Sequence, residues 1–207
     1  GVTAAATFEQ PYTLARRYAS LDHLTEGRVG FNVVTSYLPS AAENQGLPTQ
    51  IPHDERYEIA DEFLDVCYKL WEGSWEDGAV VKDRERGIYA DPSKVHPIGH
   101  KGKYFSVPGI SLTEPSPQRT PVIFQAGASS RGQQFSGKHA EAVFISALRP
   151  DLTRVVTDRI RAAAEEQGRS RDDVKILAML SVIVDETEEK AKAKYEEYKK
   201  YINLESA

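Results

Sequence analysis

Apolar positions in this chain follow two alternating rhythms. Short runs rich in β-branched and aromatic residues, the mark of strands, alternate with stretches whose apolar residues recur three and four apart, the mark of helices. Val2 to Thr7 is small, apolar and followed by Pro11, which reads as a strand and its turn. Leu14, Tyr18, Leu21 and Leu24 predict a helix over 11–24, stopped by Gly27. Residues 28–37, RVGFNVVTSY, predict a buried strand with Val29, Phe31, Val33 and Val34 suited to cover on both faces. It ends in three hydroxyls, Thr35, Ser36 and Tyr37. Residues 38–52 carry Pro39, Gly46, Pro48 and Pro52 and read as a loop.

A helix follows from about Asp54 to Glu72, with Ile59, Phe63, Val66, Leu70 and Trp71 as its buried stripe. Acids crowd its first turn, where the helix dipole favours them. A strand is predicted over 121–126, a short helix from Arg131 to His139, and a strand from Glu141 to Ser146. The helix from Pro150 to Gln167 is expected to bury Leu152, Val155, Val156, Ile160 and Ala163, and Gly168 ends it. A strand over 174–184 and a helix from Glu188, N-capped by Thr187, close the pattern.

Residues 73–119 break the rhythm with five prolines, several glycines and little periodicity. The stretch is far longer than an ordinary connection and reads as a functional insertion or lid within a single domain spanning 1–207. Strict alternation outside it predicts an α/β fold with a parallel sheet and outer helices. Five βα units suit a doubly wound sheet, or part of a (β/α)8 barrel, which takes eight units and about 250 residues. The pattern alone leaves both open. No GxGxxG follows any strand, so the dinucleotide fingerprint is absent.

Composition narrows the field. At 207 residues, 40% apolar and 28% charged, the chain has the balance of a soluble globular domain. A net charge of −5 offers no basic face to nucleic acid. No apolar run approaches the roughly 18–20 residues that span a bilayer, so no membrane partner is expected. Cys67 is the single cysteine, which fits a reducing, cytoplasmic setting. The opening GVTAAATFEQ reads as the tail of a strand, as in a chain that begins mid-domain.

The chemistry-bearing residues gather at the C-terminal ends of strands, where α/β folds bind ligands. Gly127-Ala128-Ser129-Ser130 lies between a strand and a helix. Its small residues suit close approach of an anion to backbone N–H groups at a helix N-terminus, and equally suit a tight turn with a capping Ser. His53-Asp54-Glu55-Arg56-Tyr57 opens the long helix. Tyr57 can donate to a phosphate and His53 can serve as donor or base near neutral pH, or both can be ordinary helix-start residues. Asn32, inside its strand, needs polar partners and serves either core or ligand. His96 and His100 have a helical metal spacing, but Pro97 and Gly99 between them argue against a zinc site. Cys67 lies in an apolar stripe and reads as core.

The runs LARRYASLDHLTEGRVGFNVVTSY, HDERYEIADEFLDVCYKLWEGSWEDGAVV, YADPSKVHPIGHKGKYFSVPG and PSPQRTPVIFQAGASSRG, in that order, resemble the bacterial-luciferase-like flavin monooxygenases. They are most similar to the branch of nitrilotriacetate, dibenzothiophene-sulfone and long-chain alkane monooxygenases. The resemblance implies a (β/α)8 TIM barrel of the luciferase type, with this chain as a partial barrel of about strands three to seven. It implies FMN as cofactor, used as FMNH2 supplied by a separate NAD(P)H-dependent flavin reductase. Reaction with O2 would give a C4a-(hydro)peroxyflavin that oxygenates a small organic substrate; a non-catalytic flavin-binding relative is the alternative. It also implies a homodimer or homotetramer at full length. By position, Ser36 and Tyr37 would flank the flavin. Tyr57 would contact the phosphate, and Ala126, Gly127, Ala128 and Ser129 would hold phosphate and ribityl chain. Tyr37 and His53 are the candidates for catalysis. Some relatives carry histidine at the position of Tyr37, and a tyrosine with an ordinary pKa near 10 is a donor at pH 7 rather than a base.

Overall fold

The computed structural model describes residues 1–127, 129–146 and 149–203. Five parallel strands form its main sheet: β1 (Val2–Ala5), β2 (Gly30–Val34), β7 (Val122–Gln125), β8 (Ala142–Ser146) and β9 (Lys175–Met179). They pair in chain order, β1-β2-β7-β8-β9, with no reversal. A doubly wound sheet reverses direction at a switch point; this one does not. Right-handed crossovers in an unreversed order put every connecting helix on the same face. Those helices are α1 (Pro11–Thr25), α3 (His53–Tyr68), α4 (Ser130–His139) and α5 (Pro150–Glu166), each touching the next around the sheet. A short helix, α2 (Pro39–Glu43), sits in the loop after β2, and α6 (Glu188–Lys199) follows β9.

Strand alternation sorts side chains between the two faces. Phe31, Val33 and Ile123 point toward the helices and join Leu14, Tyr18, Phe63, Val66 and Phe135 in the main core. Cys67 is buried in the same core. Val143 and Ile145 continue the layer against Ile160 and Ala164 of α5. On the opposite face Phe124 and Phe144 stack with ring centroids 5.7 Å apart. Gly30 makes room for that pair, since a Cβ there would lie 2.6 Å from Phe124 Cε2. The strand expected to be covered on both faces therefore has its helix cover on one face only.

Helix boundaries follow local chemistry. Pro11 opens α1 and the left-handed Glu26 and Gly27 close it. The long helix runs in α form only to Tyr68 and continues over Lys69–Gly73 as π-helix, burying Leu70 and Trp71, whose Nε1 donates to Ala15 O. The strand expected over 174–184 is observed over Lys175–Met179, and its last pairing among the described residues is Ser146 with Met179. Leu180, Val182 and Val184 are exposed beyond it. Leu152 and Val155, expected inside, are exposed too, because α5 packs through Ile160, Ala163 and Ala164 in its second half.

The 73–119 segment is clasped to the body. It contains two hairpins, β3 (Val80–Asp83) with β4 (Ile88–Ala90) and β5 (His100–Lys101) with β6 (Ser106–Val107). The Glu62 carboxylate of α3 accepts the backbone N–H groups of Lys103, Tyr104 and Phe105 at 3.0, 2.9 and 2.8 Å. Buried Asp22 of α1 accepts from the backbone and side chain of Gln118. Phe105 and Val107 pack on the main core. His96 and His100 go to separate carboxylates, Glu76 and Glu62.

Helices α4 and α5 meet at Gly137, where a Cβ would lie 2.6 Å from Ala163 C and 2.7 Å from Ala164 N. A Gly→Ala change inside a helix ordinarily gains about 1 kcal/mol. Here the neighbours are backbone and cannot step aside, so an overpacking cost of about 1–3 kcal/mol wins. Gly137→Ala is expected to lower the urea unfolding midpoint of the intact protein; a raised midpoint would contradict this packing.

Candidate functional site

The C-terminal ends of β1, β2 and β7 and the start of α3 enclose a cavity of about 520 Å3, the size range of small-ligand sites. Ser36, Tyr37, His53, Tyr57, Ala126, Gly127 and Ser129 all line it. The remaining candidate, Ala128, lies outside the described residues. Asn32 is not in the lining: it sits lower on β2, where its Nδ2 donates to Thr3 Oγ1 at 3.1 Å and its Oδ1 is buried without a partner among the described residues. Among the described residues, none of the lining comes from the 73–119 segment.

Each wall is set by its local sequence. The last strand residues hand over to Thr35, whose carbonyl accepts from Thr7 Oγ1 at 3.0 Å and ties the ends of β1 and β2 together. Ser36 then takes a left-handed backbone, φ 55, a conformation that costs a non-glycine residue about 1 kcal/mol or more and recurs at functional sites. Tyr37 stands at the mouth, 76% exposed. His53 begins α3, with Nδ1 2.6 Å from Asp54 Oδ1.

The turn after β7 is tighter than its sequence suggests. Buried Gln125 accepts with Oε1 from the backbone N–H of Gly127 and from Ser136 Oγ, both at 2.5 Å. The Gly127 N–H is thereby committed to the protein and is not an anion donor, contrary to the simple reading of a glycine cradle. Ser129 is the N-cap of α4 and accepts from the Gly132 N–H at 3.0 Å. Its own hydroxyl hydrogen remains to be donated, as do the N–H groups of Ser130 and Arg131 in the first turn. Tyr57 closes the cradle. A Cβ on either Gly127 or Gly132 would lie 2.7 Å from Tyr57 Oη, so two glycines are what let this hydroxyl reach the turn. No hydrogen bond to Tyr57 Oη is found among the described residues.

Two functional side chains escaped the reading of the sequence. Arg56 lines the cavity, is only 7% exposed, and its Nε has no partner among the described residues. A buried guanidinium without an acid is costly unless an anion meets it. In sequence it sits inside a run of charges, HDER, which reads as a solvated helix start. Arg131 has its guanidinium 5.6 Å from the Tyr57 ring centroid. Behind it, Asp61 accepts from Arg131, Lys138 and His139. Burial alone would raise the Asp61 carboxyl, but these donors outweigh it and hold it far below the usual carboxylate range. His139 is pushed below its ordinary 6.5, by burial first and against the pull of Asp61. Its neutral ring accepts from Tyr68 Oη at Nδ1 and donates to Asp61 from Nε2.

No cluster of His, Cys, Asp and Glu suited to a metal occurs among the described residues, and no helix among them is long and apolar enough to cross a membrane. The cavity and its anion-ready end therefore stand as the candidate site.

Comparison with known proteins agrees with this architecture. A family model described as luciferase-like monooxygenase matches residues 1–206. The dimethyl-sulfide monooxygenase of Hyphomicrobium sulfonivorans is 60% identical over 205 residues, covering 99% of this chain and 43% of that protein. The chain thus spans less than half the length of this curated relative. A crystal structure of long-chain alkane monooxygenase superposes with a TM-score of 0.91 at 55% identity, covering 99% of this chain and 47% of that one. A riboflavin lyase solved with modified FMN and riboflavin superposes with a TM-score of 0.89 at 46% identity, covering 94% of this chain and 43% of that one.

The buried His139 makes stability pH-dependent. With its folded pKa below 6.5, the unfolded chain binds more protons in the window just below that value, so stability falls as pH drops through it. The slope reaches at most about 1.4 kcal/mol per pH unit. The urea midpoint of the intact protein is expected to be lower at pH 5.5 than at pH 7.5, and His139→Gln is expected to flatten that difference. An unchanged difference in the variant would assign the effect elsewhere.

Proposed function

The chain belongs to the luciferase-like monooxygenase family, and from that premise we propose that the intact protein is an FMN-dependent monooxygenase acting on a small organic substrate with O2. In this reading the five-stranded sheet is an arc of a (β/α)8 barrel. Reduced FMN reaches it from a separate NAD(P)H-dependent flavin reductase. One observation carries the proposal: a single cavity at the strand ends is lined by Tyr57, by Ser129 at the N-cap of α4, and by Arg56, whose Nε has no partner among the described residues.

These residues fit the proposed cofactor. Gly127 and Gly132 let the Tyr57 hydroxyl reach the turn, and the Nε of buried Arg56 has no partner among the described residues. Tyr57 and Ser129 would donate to the FMN phosphate, joined by the first-turn N–H groups of α4, whose dipole favours the same charge. Ala126 and Gly127 would line the ribityl chain. Ser36, turned by its left-handed backbone, and Tyr37 would flank the ring system. Tyr37 would donate a hydrogen bond at the mouth. His53, its Nδ1 engaged by Asp54, would present Nε2 as the atom that holds or passes a proton. Bound reduced FMN would supply the activation of O2, while the chain binds, orients and excludes water.

The test is flavin binding by the intact protein, followed by fluorescence, and reductase-coupled incorporation of labelled oxygen into candidate small organic substrates. Tyr57→Phe keeps the ring and removes the hydroxyl. Loss of one hydrogen bond to a charged group, about 1.5–3 kcal/mol, is expected to weaken FMN binding at least about tenfold and leave riboflavin binding unchanged. Failure of the parent protein to bind either flavin would overturn the proposal. Binding without oxygen incorporation would identify a flavin carrier in place of an oxygenase.

A further inference from the structure

We propose that Asp61, which does not line the cavity, is a positioning residue that sets the register of helix α4 and so the geometry of its anion cradle. The proposal rests on the flavin-binding reading above. Asp61 lies one turn after Tyr57 on α3, so both project toward α4. Its carboxylate is the common acceptor for the two ends of that helix. Arg131 reaches it from the first turn, and Lys138 and His139 reach it from the last at 3.0 and 2.7 Å. Residues 131, 138 and 139 are seven and eight apart, two helical turns along one face. Gripped at both ends, α4 cannot slide or rotate against α3 without breaking a charged hydrogen bond.

That register matters because the clearances at the cradle are small. Tyr57 Oη sits so close to both glycines that a Cβ added to Gly127 or to Gly132 would lie 2.7 Å from it. Ser129 is locked to Gly132 by the N-cap bond, so any axial shift of α4 moves Ser129 relative to Tyr57. Asp61 also fixes the Arg131 guanidinium near the Tyr57 ring, at 5.6 Å from its centroid, within cation–π range. His139 is anchored from behind by Tyr68 Oη at 3.2 Å, so the clasp is braced against the core.

The deciding measurement is the affinity of the intact protein for FMN and, separately, for riboflavin, which lacks the phosphate. Asp61→Asn is expected to weaken FMN binding about tenfold, the scale of one charged hydrogen bond, with riboflavin affinity within about twofold of the parent. Asp61→Glu, which restores the charge, is expected to recover part of the loss. Equal weakening of both flavins would mean a merely structural role and would overturn the proposal, as would no change in either. If Asp61→Asn does not fold, Lys138→Met carries the test. It removes one far-end grip from a half-exposed site, with an expected FMN-selective loss of about threefold, and an equal or absent effect on both flavins would be the contrary result. A parent protein that binds riboflavin and FMN equally, or neither, would instead count against the function proposed above.

Discussion

Five parallel strands paired in the order in which they occur leave right-handed crossovers only one face on which to place their helices. From that constraint the rest of the architecture follows. All strand C-termini lie along one rim, so the segments that leave β1, β2 and β7 are neighbours there. Tyr37, Tyr57 and Ser129, far apart in sequence, become walls of one cavity. The same constraint separates the side chains of each strand, with Phe31 and Val33 among the helices and Phe124 and Phe144 stacked on the other face.

Within that frame the site depends on backbone closeness between α3 and the turn before α4. Two glycines and one buried glutamine achieve it. Gly127 and Gly132 admit the Tyr57 hydroxyl, and Gln125 uses its Oε1 to hold the turn through Gly127 and Ser136. The arrangement commits the Gly127 amide to the protein itself. Around it, charge is arranged unequally: Asp61 is satisfied by three donors, while the buried Arg56 has no acceptor for its Nε–H among the described residues.

Much of the fold was legible because its signals are local. Helical spacing over Leu14, Tyr18 and Leu21 and the Gly27 stop gave α1 to within a residue or two. Thr187 caps α6 as its spacing implied. Where the reading erred, a neighbour decided the outcome. Among the described residues the last rung of β9 is Ser146 with Met179, although Leu180, Val182 and Val184 keep a strand-like pattern. The stretch 73–119, featureless by periodicity, is organised by long-range bonds from Glu62, Asp22 and Arg119 that no window of sequence contains.

By itself the sequence determined the alternation of strands and helices, the family resemblance, and the residue types that gather at strand ends, because propensity, periodicity and motif order are written along the chain. It could not choose between a doubly wound sheet and a barrel arc, since both have the same alternation; only the strand order in space shows that this sheet does not reverse. Nor could it tell that Gly127 offers clearance rather than its N–H, or that Arg56 is buried with no partner at Nε among the described residues while Arg131 pairs with Asp61. Those facts depend on which groups from distant segments share one small, poorly solvated volume, and only the tertiary structure sets that.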